Sequence, residues 1–152
     1  MPFQNSFNRG NPPRAPYRAA RQLPPEAKPL PLPENYVDEA EKIMRHLAGE
    51  RYKITTSKLR NLYSLVSDIY NEENLRDEPA LLPESVTALA MARIRVVYEA
   101  GREPSVKDFV REARLLEYLK DVGTDRKKLI AFAHYMEALV AYHRFYIGGR
   151  EG

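Results

Sequence analysis

The sequence predicts an all-α protein, a five-helix bundle preceded by a disordered proline-rich tail, and three observations carry that expectation. Apolar residues recur at three- and four-residue spacing from Tyr36 to Tyr146, and no stretch alternates with period two between turn signals. Nine of the twelve prolines fall in residues 1–33, which end in LPPEAKPLPLP. Proline cannot sit in a helix interior and offers no donor to a sheet, so this segment is expected to be an extended, mobile tail. Residues 34–152 then form a single helical domain. At 43% hydrophobic the chain can build a core, and a body of about 120 residues buries roughly two-thirds of its unfolded surface.

The first helix is expected from Tyr36, Val37, Ala40, Ile43, Met44 and Leu47, with Gly49 placed to stop it. A run of hydroxyls, Thr55, Thr56 and Ser57, offers caps for the second, which continues through Leu59, Leu62, Tyr63, Val66, Ile69 and Tyr70 to about Asn74. An acidic loop follows, with Glu72, Glu73, Asp77 and Glu78 around Arg76, closed by Pro79 and Pro83. Val86, Leu89, Ala90, Ile94, Val97 and Tyr98 mark the third helix, ended by Gly101. Ser105 with Asp108 has the form of a capping box for a fourth, carried by Val106, Phe109, Val110, Ala113, Leu116 and Leu119 and stopped at Gly123. The fifth starts at Thr124 or Asp125 and is apolar over most of its circumference, so it should run through the middle of the bundle until Gly148 and Gly149.

Several function classes fall away on composition. The chain has no cysteine, which removes disulfides, thiolate metal sites and cysteine nucleophiles together. MPFQNSFNRGNPPR contains no apolar run for a signal peptide, and nowhere do eighteen apolar residues follow one another, so a cytoplasmic protein without a membrane partner is expected. His134 and Glu137 share a helical face, but two ligands do not complete a metal site, and no metal or other cofactor is expected. There is no Gly-rich phosphate loop, nucleophile elbow or HExxH, and the chain reads as a non-enzyme.

The net charge of +3 divides unevenly. Arg9, Arg14, Arg18, Arg21 and Lys28 against Glu26 leave the tail at +4, and the body from Glu34 carries a net charge of −1. Binding must therefore rest on local placement, with the tail arginines able to make weak, salt-sensitive phosphate contacts. The richest stretch in the body is RYKITTSKLR, residues 51–60, which holds Arg51, Lys53, Lys58 and Arg60 without an acid. A helix N-terminus presents free N–H groups and the positive end of its dipole, so Thr56, Ser57, Lys58 and Arg60 form a phosphate seat. Thr124, Arg126, Lys127 and Lys128 repeat the arrangement at the last helix, and two seats point to a polyanion. Single-strand readers place exposed aromatics between basic residues, a setting met here only by Tyr52 and by Tyr17, so backbone contact is expected over base readout. EAGREPSVKDFVREA also has the shape of a helix-turn-helix, and GREPS is similar to a stretch of bacterial sigma factors. Its second helix is balanced, Lys107, Arg111, Arg114 and Lys120 against Asp108, Glu112, Glu117 and Asp121. A free-standing DNA-binding regulator or a protein-binding adaptor is the alternative function.

KITTSKLRNLYSL, YEAGR and HYMEALVAYHRFYIGG, in that order and spacing, resemble the small subunit of the type III-A CRISPR effector, or Csm, complex over roughly residues 35 to 149. The resemblance implies a non-catalytic helical subunit, present in several copies and stacked beside larger backbone subunits and a large subunit. It implies contact with the phosphate backbone of the guide RNA–target RNA duplex. Matching by motif, Lys53, Lys58 and Arg60 fall where the family meets nucleic acid, with Arg102 and Arg144 as further candidates. Arg126, Lys127 and Lys128 rest on their charge alone.

Overall fold

A computed structural model describes residues 26–148 and contains, among them, six helices and no strand. They are α1 (Tyr36–Ala48), α2 (Thr56–Glu73), α3 (Pro83–Arg102), α4 (Pro104–Glu112), α5 (Leu115–Val122) and α6 (Arg126–Tyr146). The expected disorder of residues 1–25 lies outside the described residues. Residues 26–33, assigned to the tail by their prolines, run without helix along α5. The Leu30 N–H donates to the Glu117 carbonyl at 3.1 Å and the Lys120 ammonium to the Ala27 carbonyl at 2.7 Å, while Leu30 and Leu32 pack on the core.

The sixth helix corrects the expected count, because the segment read as one fourth helix breaks at Arg114. That residue is left-handed at φ 53°, and Ala113 caps α4 through its N–H to Phe109 and Arg111 carbonyls. A left-handed arginine costs on the order of 1 kcal/mol. Burial of Ala113 and Leu115 on either side offsets it, and the Tyr135 hydroxyl donates to the Ala113 carbonyl at 2.8 Å, satisfying a group that the break would leave unpaired in the core. Two further boundaries differ. Helix α3 runs through Gly101 to Arg102 and ends because Glu103, preceding Pro104, is extended. Pro104 opens α4, so the Ser105–Asp108 capping box does not form.

The core is organised around α6, which packs against α1, α2 and α5. Leu129, Phe132, Ala133, Tyr135, Met136 and Leu139 are buried along it, facing Leu59, Leu62, Val66 and Ile69 of α2 and Ala40 and Met44 of α1. Tyr135 meets Tyr118 of α5 edge to face at 5.4 Å between ring centres. Helices α2 and α6 are antiparallel. The Thr56 hydroxyl donates to Gly148 at 3.5 Å at one end, Tyr70 meets His134 at 3.3 Å in the middle, and Arg126 donates to the Glu73 carbonyl at 2.7 Å at the other. At 1.5 Å per residue the two ends lie about 30 Å apart.

Candidate nucleic-acid interface

One end of the bundle gathers the start of α2, the end of α3 and the end of α6. Thr55 caps α2, its hydroxyl oxygen accepting from the Lys58 N–H at 3.3 Å, and no acid lies in the first turn. The chain before it is pinned by His143, buried on α6, whose Nε2 lies 2.7 Å from the Ile54 carbonyl and so carries the proton. That bond brings Lys53 beside the end of α6, where Arg144 is exposed. The Lys58 ammonium reaches Glu103 at 2.7 Å, tying the start of α2 to Arg102 at the end of α3. Lys58, hydrogen-bonded to it, and Arg102 beyond hold the Glu103 carboxyl below the usual glutamate range.

The candidates thus sort by geometry. Lys53, Ser57, Lys58, Arg60, Arg102 and Arg144 occupy this end. Among the described residues Lys53, Arg60 and Arg144 make no ion pair, Lys58 shares Glu103, and Arg102 lies 3.4 Å from Glu99. Thr56 departs from expectation, because its side chain is buried and its hydroxyl donates to Gly148.

The α6 seat is built differently and sits at the opposite end, so the two seats do not form one surface. Asp125 already fills it, one carboxylate oxygen accepting from the Lys127 and Lys128 N–H groups at 2.9 and 3.2 Å. Arg126 is a structural residue, donating to the Glu78 and Glu73 carbonyls at 2.8 and 2.7 Å. Lys128 pairs with Asp121 at 3.2 Å, leaving Lys127 without an ion pair among the described residues. Here the protein supplies the anion a ligand would otherwise bring.

The same end carries the acidic loop, and its anchor is Glu73, which the sequence counts among the loop acids but which ends α2 and is completely buried. Burial opposes its ionisation. The Ser85 hydroxyl, the Leu82 N–H at 3.0 Å and the Arg76 guanidinium outweigh that, and its pKa lies below the ordinary value. Glu72, Asp77 and Glu78 remain exposed around Leu75, which is 86% accessible.

The helix-turn-helix reading finds little support in α4. Val106, Phe109 and Val110 are buried, and Arg111 is paired with Asp108 and Glu112 at 3.2 and 3.9 Å. Among the described residues no three His, Asp or Glu side chains cluster as a metal site would need, and no helix is long and apolar enough to cross a membrane.

Comparison with known proteins adds family to geometry. The family model described as Csm2 Type III-A matches residues 31–149. A protein of Streptococcus thermophilus named CRISPR system Cms protein Csm2 is 42% identical over 121 residues, covering 78% of this chain and 95% of that protein. Proteins of the same name from Mycobacterium tuberculosis (strain CDC 1551 / Oshkosh) and Enterococcus italicus are 38% and 36% identical, covering 75% and 61% of this chain and 93% and 68% of their own lengths. The helical fold, the order of the three motifs and these matches agree, and the chain belongs to the Csm2 family of type III-A CRISPR systems.

Proposed function

We propose that this chain is a non-catalytic small subunit of the type III-A effector, repeated along the guide RNA–target RNA duplex, and that it meets the phosphate backbone through the α2 end. The observation that carries this reading is the segregation of charge. Lys53, Arg60 and Arg144, with Lys58 and Arg102 close by, surround the α2 start without an acid in its first turn, whereas at the α6 start Asp125 takes the backbone N–H groups, Asp121 pairs with Lys128, loop carbonyls hold Arg126, and Lys127 alone makes no ion pair among the described residues. Contacts of this kind hold a backbone without reading sequence, which leaves specificity to base pairing. Its partners are then the two RNA strands, the backbone and large subunits, and further copies of itself.

Repetition calls for two unlike surfaces on one molecule, since a head-to-tail contact that does not close gives a filament. The acidic loop offers one, Leu75 ringed by Glu72, Asp77 and Glu78. The exposed Met91 and Ile94 on α3, one to two turns before Tyr98 and beside Arg93 and an Arg95 paired with Glu99 at 3.3 Å, offer an apolar and basic complement. Purification of the tagged full-length chain from cells holding the whole system, with sequencing of bound RNA, tests both halves. Wild type should bring down large and backbone Csm subunits with guide-length RNA. Asp77→Lys with Glu78→Lys should reduce the copies recovered per complex. Recovery of RNA polymerase or no partner would reject the reading, and full incorporation of the loop variant would reject the stacking contact.

A further inference from the structure

Among the described residues the exposed tyrosine and phenylalanine side chains are Tyr52, Tyr98 and Phe145, at 70%, 57% and 76%. All three lie at the end that holds Lys53, Lys58, Arg60, Arg102 and Arg144, and none lies at the acidic-loop end. Tyr52 and Phe145 are each two residues from the two partners of one hydrogen bond, Ile54 and His143. Tyr98 is one turn before Arg102. Two of the rings are braced by cations, the Arg51 guanidinium 5.5 Å from the Tyr52 ring centre and that of Arg102 5.6 Å from Tyr98. Phe145 packs edge to face on Tyr146 at 5.0 Å, and Tyr146 is itself fixed by its hydroxyl donating to Glu41 at 2.6 Å. Each ring has a neighbour against it while remaining open to solvent.

An exposed aromatic ring loses part of its apolar surface to water without return unless something flat covers it, and single exposed residues scattered over a surface need no explanation. Here the three share one end of the bundle with the unpaired cations. Aromatic faces interleaved with lysine and arginine are the arrangement by which proteins hold single strands, cations taking the phosphates and rings taking the bases.

We infer that Tyr52, Tyr98 and Phe145 are stacking platforms for nucleobases that are left unpaired where the guide RNA–target RNA duplex passes over this end. The inference rests on the reading of this end as the RNA-facing one, and it adds base contact to a surface otherwise assigned only to phosphate. It also reverses the expectation from sequence, where Tyr98 and Phe145 were indistinguishable from core aromatics on apolar faces. Stacking is tolerant of sequence because every base has a π-face, so the platforms hold unpaired bases without selecting among them, and the cations hold the duplex backbone.

Titration of the full-length protein with a single-stranded oligoribonucleotide, and with an abasic strand of the same length and charge, separates base from backbone. The base-bearing strand should bind about tenfold more tightly at equal salt. Tyr52→Ala with Phe145→Ala should bring it down to the abasic level with an unchanged salt slope, and Tyr52→Trp should retain the difference. Both positions are exposed, so the fold should tolerate the changes. Equal, salt-dependent binding of the two strands by wild type would overturn stacking and leave the backbone reading standing. Binding of neither strand would overturn both.

Discussion

Replacing Lys58 and Arg60 by glutamate is expected to weaken binding of the full-length protein to RNA by about tenfold or more at low salt, and to flatten the salt dependence of what remains. Each phosphate contact releases condensed counterions, and losing two should reduce the slope of log affinity against log salt by roughly 1.5 for a single strand. Arg60 should act alone, since it makes no ion pair among the described residues. Lys58 is different, because its ammonium is shared with Glu103 at 2.7 Å and must be released or shared again to meet a phosphate. Glu103→Gln should therefore raise RNA affinity by about two- to fivefold, the range expected when a half-exposed ion pair stops competing. In Lys58→Glu two carboxylates would face each other, so Lys58→Gln with Arg60→Gln is the matched variant that removes charge without that repulsion. Fluorescence anisotropy over a salt series reads all of these. Wild-type affinity and slope in the double variants would remove this end from the RNA surface.

Glu73→Ala is expected to destabilise the fold by about 3 kcal/mol, the order of cost of leaving two buried donors without an acceptor. For a domain of this size that corresponds to a Tm lower by on the order of 10 °C. The carboxylate is fully buried and accepts from the Leu82 N–H and the buried Ser85 hydroxyl, so its loss strands two buried donors, while Arg76 keeps Glu78 at 3.3 Å and the Ala80 carbonyl at 3.0 Å. The loop between α2 and α3 loses its anchor at the same time. Because the folded-state pKa of Glu73 lies below the ordinary 4.5, its contribution is fully present above that pH and is lost as pH falls through the folded value. Wild type should therefore lose stability on acidification below about pH 4.5 more steeply than Glu73→Gln. Urea denaturation of both proteins across pH 3 to 7 checks the prediction, and parallel pH profiles would contradict it.

The helices that were legible in the sequence were those punctuated by residues with fixed backbone demands. Pro83 and Gly123 mark ends where the missing N–H or a positive φ decides the matter, and Gly123 does adopt φ +55°, whereas the junction at Pro104 was misplaced to Gly101 and Ser105. The break at Arg114 was not legible, because an arginine enters the left-handed region only under tertiary contacts made by Ala113, Leu115 and Tyr135. The same limit applied to the candidate interface. Local spacing identified both helix starts rich in cations, but it could not show that antiparallel packing puts them about 30 Å apart. Nor could it show that a carboxylate, Asp125, caps one of them while a neutral hydroxyl, Thr55, caps the other. Lys58 and Glu103 are 45 positions apart in sequence, and their pairing is a product of how α2 and α3 pack. Glu73 looked like its exposed acidic neighbours until the turn after α2 folded it inward. Tyr98 and Phe145 stand on helices whose other faces are buried, and only their exposure separates them from core aromatics.

Photo-crosslinking of the assembled complex, with 4-thiouridine in the RNA and the full-length chain in place, tests the central claim most directly. Crosslinked peptides covering residues 51–60 are expected, with further ones around Tyr98 to Arg102 and Arg144 to Phe145. Crosslinks confined to the opposite end, at Arg126, Lys127 and Lys128 or in the acidic loop, would contradict it.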